Sequence, residues 1–141
     1  MIVVVDASVA LKWFLFDSLA EDHTDIALAI FEAAVFGRIQ LLQPVHFIAE
    51  VAAVLARIKP TEAQSDLLDL IAIARRTVDS PEVYATAVAL ATQLNHHLFD
   101  TLYHALALET PGAMFVTADR RYFDKAQHQG QIAWLPDFVV G

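Results

Sequence analysis

The strongest constraint on the fold is the order of apolar runs: short β-branched segments, each one strand long, alternate with longer stretches whose apolar residues recur at helical spacing. Ile2-Val3-Val4-Val5 reads as a buried parallel strand ending in Asp6, with Ser8 placed to cap the helix that follows. The spacing predicts a helix over 24–36, with Ile26, Ala27, Ile30, Phe31 and Ala34 on one face and Gly37 closing it, then a strand Ile39–Leu42 that Pro44 stops. Helices over 47–59 and 62–74 follow, with Pro60-Thr61 ending the first and capping the second. Thr77-Val78 is a short strand, and Ser80-Pro81 starts a helix reaching Leu94, because Ser caps and Pro at the first helical position gives up no needed N–H. Asp100 enters a helix over 101–109, Ala113–Thr117 is another buried strand, Asp119 turns into a helix over 120–127, and Ile132–Trp134 is the last strand. Such alternation predicts an α/β fold, a three-layer α/β/α sandwich with a mostly parallel central sheet, occupying 1–141 as one domain without linker or repeat.

Composition narrows the function classes. The chain has no cysteine, which removes disulfides, thiolate zinc sites and cysteine nucleophiles and is compatible with a reducing cytoplasm. The amino terminus lacks the basic region of a secretory signal, and the stretch from Val83 to Phe99 is too short and polar for a membrane span, so a soluble, cytoplasmic protein is expected. A formal charge of −8 argues against broad affinity for nucleic acid, which comes from neutralising phosphates with Lys and Arg. Any nucleic-acid chemistry must therefore be local. The apolar content of 57% is high for a globular domain and has two readings, a surface that meets a partner or alanine packed inside helices.

In open parallel sheets ligands bind at the carboxyl ends of strands. Asp6 follows the first strand directly, Asp119 lies two residues beyond Thr117, and Asp100 stands at a helix entrance, so three segments deliver an acid to one rim. Each Asp alone also fits a helix cap, and Glu50, on an otherwise apolar helix, also fits an ordinary surface position. Gathered carboxylates repel one another and raise one another's pKa unless a cation neutralises them. Oxygen donors, with no cysteine and no paired-histidine motif, favour Mg2+ or Mn2+ over zinc, and such an ion serves phosphodiester hydrolysis. The six histidines show no metalloprotease or zinc spacing and are left out of the site; His104 is assigned packing or capping.

Four segments carry a resemblance: Val3-Val4-Val5-Asp6-Ala7-Ser8, Ile48-Ala49-Glu50-Val51, Phe99-Asp100-Thr101-Leu102-Tyr103-His104-Ala105 and Phe115-Val116-Thr117-Ala118-Asp119-Arg120. In order and content they resemble the acidic motifs of PIN-domain ribonucleases, and among these the VapC toxins of type II toxin-antitoxin systems. The resemblance covers nearly the whole chain, and its specificity lies in all four motifs occurring in order, since each alone is loose. It implies Asp6, Asp100 and Asp119 as metal-site acids, with Glu50 binding metal directly or through water and helping to orient or activate the attacking water. It further implies Ser8 and Thr117 as hydrogen-bonding supports, roles that ordinary turn chemistry also explains. The implied activity is Mg2+-dependent (or Mn2+-dependent) endonucleolytic RNA cleavage leaving a 5′-phosphate and a 3′-hydroxyl. The implied partners are an RNA substrate, a second copy in a homodimer, and a cognate antitoxin that covers an apolar groove with a helix and inserts a basic side chain into the acidic site.

Arg120, Arg121 and Lys12 are candidate contacts to the RNA backbone, against the commoner role of solvated surface charge; Arg75-Arg76 has no assigned place. Two rival enzymes and signalling folds lose their diagnostic residues. A haloacid-dehalogenase-like phosphatase needs a second Asp where Ser8 stands, and a response-regulator receiver needs an acidic pair after the first strand and a lysine after a late one. A non-catalytic module that holds a basic partner in the acidic pocket stays open as the alternative.

Overall fold

A computed structural model describes residues 1–18 and 21–141. Five strands, β1 (Ile2–Val5), β2 (Gln40–Pro44), β3 (Arg76–Val78), β4 (Ala113–Thr117) and β5 (Ile132–Trp134), form one sheet in the order β3-β2-β1-β4-β5. Every pairing is parallel. The helices are α1 (Ala7–Ala10), α2 (Thr24–Val35), α3 (Phe47–Ile58), α4 (Ala63–Ala72), α5 (Pro81–Leu94), α6 (Leu98–Leu108) and α7 (Arg120–Ala126). Successive strand residues face opposite sides of a sheet, and Val3, Val4 and Val5 are all fully buried, so helices cover both faces at the centre. The expected α/β/α sandwich is the observed one. No helix among the described residues is long and apolar enough to cross a membrane.

Several local expectations hold to the residue. Ser80 caps α5 by accepting from the Val83 N–H, Pro81 occupies its first turn, and Gly37 takes the left-handed conformation after α2 at φ 74°. Others shift for physical reasons. The strand ends at Pro44, which is itself the last residue of β2 and in register with Val78, a position where the missing N–H costs the ladder little, so β2 runs two residues past the expected Leu42. Glu62, without a side-chain cap bond, precedes α4 in place of Thr61. The first helix is capped by the Asp6 carboxylate, which accepts from Val9, so Ser8 lies inside α1 and its hydroxyl is free for another partner.

The β1–β2 ladder ends early, with only Ile2 opposite Gln40 and Val3 opposite Leu41 in register. Beyond it the buried Gln43 side chain takes over: its Oε1 accepts from the Val5 N–H at 2.9 Å and its Nε2 donates to the Val5 carbonyl at 2.7 Å. One amide thus satisfies both backbone groups of the residue before Asp6. Gln43→Leu leaves that buried N–H and C=O unpaired and should cost about 2–4 kcal/mol. Urea denaturation reads this directly, and unchanged stability would remove Gln43 from its bridging role.

His104, fully buried in α6, contacts the Tyr122 hydroxyl through Nδ1 at 2.9 Å and donates from Nε2 to the Gly130 carbonyl at 2.8 Å. It is a core histidine, as its position suggested. Burial holds its pKa below the ordinary 6.5, opposed by the Gly130 bond. The unfolded chain therefore binds the extra proton first as pH falls, and the contribution of His104 to stability is lost below about pH 6.5. Replacing it by Leu should flatten the pH dependence of stability between neutral and mildly acidic solution relative to the parent chain; parallel slopes in urea titrations would contradict this.

Candidate active site

Chain order and sheet order together locate a crevice. From β1 the chain moves outward to β2 and β3, then returns to the other side of β1 to form β4 and β5. The reversal lies between β1 and β4, where the carboxyl ends of two neighbouring strands part and side chains from different elements converge. Asp6 leaves the end of β1 and Asp119 follows the end of β4 as the N-cap of α7, accepting from the Tyr122 N–H at 3.2 Å.

Two hydroxyls join these turns. Ser8 Oγ donates to Asp6 Oδ1 at 2.5 Å and accepts from the Ala118 N–H at 3.1 Å. The buried Thr117 Oγ1 donates to Asp6 Oδ2 at 2.5 Å and accepts from the Asp119 N–H at 3.0 Å. One oxygen of Asp6 is thereby oriented by Ser8 of α1 and the other by Thr117 at the end of β4. Loss of hydration raises the Asp6 carboxyl to about 6; the Ser8, Thr117 and Val9 hydrogen bonds oppose the rise, and the nearby Asp100 charge adds to it.

Asp100 stands at a helix entrance as expected, but within the first turn of α6, which begins at Leu98 instead of Thr101, so His97 and not Asp100 occupies the cap position. Its Oδ2 lies 2.9 Å from His96 Nε2. Ligand atoms of His96, Asp100 and Asp119 all lie within 4.8 Å of one another, an arrangement able to hold a metal ion. His96 thus joins the site although its spacing carries no metal-binding signature. Only the left-handed turn at Asn95, between α5 and α6, brings it back over Asp100. On its far side His96 Nδ1 lies 3.3 Å from Lys125 Nζ, an obligate donor, so Nδ1 is the acceptor and the ring proton resides on Nε2, donated to Asp100. This tautomer leaves carboxylates as the donor set, which suits a hard divalent cation such as Mg2+ or Mn2+.

Glu50 sits in the first turn of α3, part-exposed, with Oε1 accepting from the Tyr103 hydroxyl at 2.5 Å and 3.5 Å from His46 Nε2. Tyr103 is fully buried and stacks on Phe115 of β4 with centroids 6.1 Å apart. Burial, the hydrogen bond to Glu50 and the charges of Glu50, Asp6 and Asp100 all push its hydroxyl pKa upward, which keeps it a donor. Tyr103 and His96 are the site neighbours that sequence reasoning missed; the i, i+3 relation of Asp100 and Tyr103 on one helix was the available signal.

Lys12 does not present a free charge on the surface. It is buried, and its ammonium bonds Glu21 at 2.8 Å, Asp22 at 3.3 Å and the Asp22 carbonyl at 2.7 Å, a local clamp that consumes the charge. Arg120 is exposed, pairs with Asp124 at 2.8 Å and lies 4.4 Å above the Trp134 ring.

The comparisons agree with this geometry. The PIN domain family pattern matches residues 3–129. Similar solved structures include VapBC-1 from nontypeable Haemophilus influenzae, at 14% identity and TM-score 0.64 over 95% of this chain and 96% of that one. VapBC2 from Rickettsia felis, bound to a DNA fragment from their promoter, aligns at 16% identity and TM-score 0.65 over 95% and 98%. PAE2754 from Pyrobaculum aerophilum aligns at 20% identity and TM-score 0.60 over 96% and 93%. No curated protein matches the sequence significantly. With its family pattern spanning residues 3–129 of 141, the chain belongs to the PIN domain family.

Proposed function

We propose that this protein is a divalent-metal-dependent endoribonuclease, the toxin of a toxin-antitoxin pair, working in the cytoplasm as a homodimer. The observation that supports the reading is that Asp100 and Asp119 offer ligand atoms within 4.8 Å of each other, near enough to Asp6 for the Asp100 charge to raise its pKa, in a chain of the PIN domain family. Asp100 and Asp119 would hold the ion, Mg2+ or in its place Mn2+, with Asp6 contributing from the β1 end. When bound, the cation supplies charge neutralisation among the acids and polarisation of the phosphodiester.

The protein's own groups do the rest. Glu50, steadied by the Tyr103 hydroxyl, orients the attacking water and accepts its proton as the water oxygen bonds to phosphorus. The P–O3′ bond breaks, leaving a 5′-phosphate and a 3′-oxygen that takes a proton from solvent. Ser8 and Thr117 keep both Asp6 oxygens in place, and His96 holds one oxygen of Asp100 while the other stays available.

An apolar groove of about 600 Å³, lined by Trp13, Phe14, Phe16, Phe31, Val35 and Ile73, supports the antitoxin part of the reading. Of its lining residues Phe16 and Val35 leave about half of their surface open, an apolar surface for one face of a partner helix, with Lys59, Asp66 and Asp69 also on the lining.

Incubating purified protein with mixed tRNA and rRNA in Mg2+ should yield discrete fragments, abolished by chelator and reduced on the order of 10²-fold or more by Asp6→Asn or Asp100→Asn. Folded, inhibitor-free protein that cuts no RNA under any divalent metal would replace this reading with the basic-partner binding module.

A further inference from the structure

Beside the carboxylates lies a second, oppositely charged feature: a pocket of about 310 Å³ lined by Asn95, His96, His97, Arg121 and Lys125. Its position is set by the α5–α6 turn on one side and α7 on the other. The chain has nine Lys and Arg residues against seventeen Asp and Glu, and most of its basic groups are committed elsewhere. Lys12, Arg38, Lys59 and Arg120 pair with carboxylates, and Arg75 donates to the Ile71 and Ile73 carbonyls. Among the described residues Arg57 and Arg76 also stand without a carboxylate partner, but the two cations of this pocket lie together and share it with His96. Lys125 touches only the Asn95 carbonyl at 3.2 Å and His96 Nδ1 at 3.3 Å, and Arg121 is exposed, with no hydrogen bond or ion pair among the described residues.

Two cations that share one pocket with no carboxylate partner, in a strongly acidic chain, mark a place that favours an anion, since elsewhere the net charge repels one. The pocket is also joined to the acids: His96 lines it and bonds Asp100 at 2.9 Å. Resting on the nuclease reading above, we propose that this pocket seats a backbone phosphate of the RNA strand, adjacent to the phosphate that is cut, through Arg121 and Lys125. The guanidinium offers a forked donor set to two phosphate oxygens, and the ammonium adds a point charge. The seat resolves the difficulty that an acidic protein faces in holding a polyanion: attraction is confined to one anchoring phosphate, and the acids bind metal. It also replaces Lys12 and Arg120, whose charges are already spent on acidic neighbours.

The test is binding of a fluorescently labelled single-stranded oligoribonucleotide, followed by anisotropy in EDTA over a range of salt, so that no cleavage intervenes. The double variant Arg121→Gln, Lys125→Gln should bind roughly tenfold more weakly, with a log–log salt slope shallower by about 0.7 for the lost phosphate contact. Arg57→Gln, which removes an exposed charge on the second half of α3, should change affinity less than twofold by loss of charge alone. Arg121→Gln by itself has no intramolecular contact to lose and keeps the test open if Lys125→Gln disturbs the α5–α6 turn. Double-variant binding equal to that of Arg57→Gln, or no binding by the parent chain, overturns the seat. The two readings fail separately: RNA cleavage with KM unchanged in the double variant removes the seat and leaves the nuclease, whereas pocket-dependent binding without cleavage under any metal does the reverse.

Discussion

Everything at the active rim hangs on the attachment of Asp6 across the β1–β4 junction. Thr117 at the end of β4 and Ser8 just after β1 each spend a hydroxyl proton on one oxygen of that carboxylate, and each accepts a backbone N–H from the turn that carries Asp119. The two turns are therefore one hydrogen-bonded unit. Without it, an acid shifted upward by burial and by Asp100 would be free to swing away from its neighbours. The opposite flank of β1 is closed by the Gln43 amide, so the strand is pinned on both sides at the residue before the carboxylate departs.

The electrostatic design is a steep local contrast. Asp100 faces Asp119 on one side and His96 on the other, and behind His96 stands Lys125. Because Lys125 can only donate, it selects the His96 tautomer that donates to Asp100, so a positive side chain outside the acidic crevice sets the hydrogen bonding within it. A low-dielectric floor of Tyr103, Phe115 and Tyr122 underlies this arrangement, and the hydroxyls of both tyrosines are held protonated chiefly by burial. Rigid aromatic packing beneath movable charges is what lets the carboxylates stay close in a defined order.

Much of this was legible in one sequence. The strands Ala113–Thr117 and Ile132–Trp134 and the helix from Ser80-Pro81 to Leu94 emerge where apolar spacing and capping chemistry place them. Asp6, Glu50, Asp100 and Asp119 were recognisable because acids after buried strands and on helix first turns recur in a known order. The misreadings share one cause. Ser8 looked like a cap and Lys12 like a surface cation, each from local context, yet each role is settled by a partner that the local pattern did not single out. Asp6 takes the cap position and frees Ser8, and Glu21 and Asp22 enclose Lys12.

By itself the sequence determined the alternation of strands and helices, the sandwich that this alternation requires, and the identity of the acids, because periodicity, capping and motif order are properties of neighbouring residues. Tertiary structure alone decided which groups meet. Tyr103 reaches Glu50 across 53 positions of chain, and Thr117 reaches Asp6 across 111. Contacts over such separations follow from strand order, and strand order is fixed by the packing of the whole sheet, which no local window of residues contains.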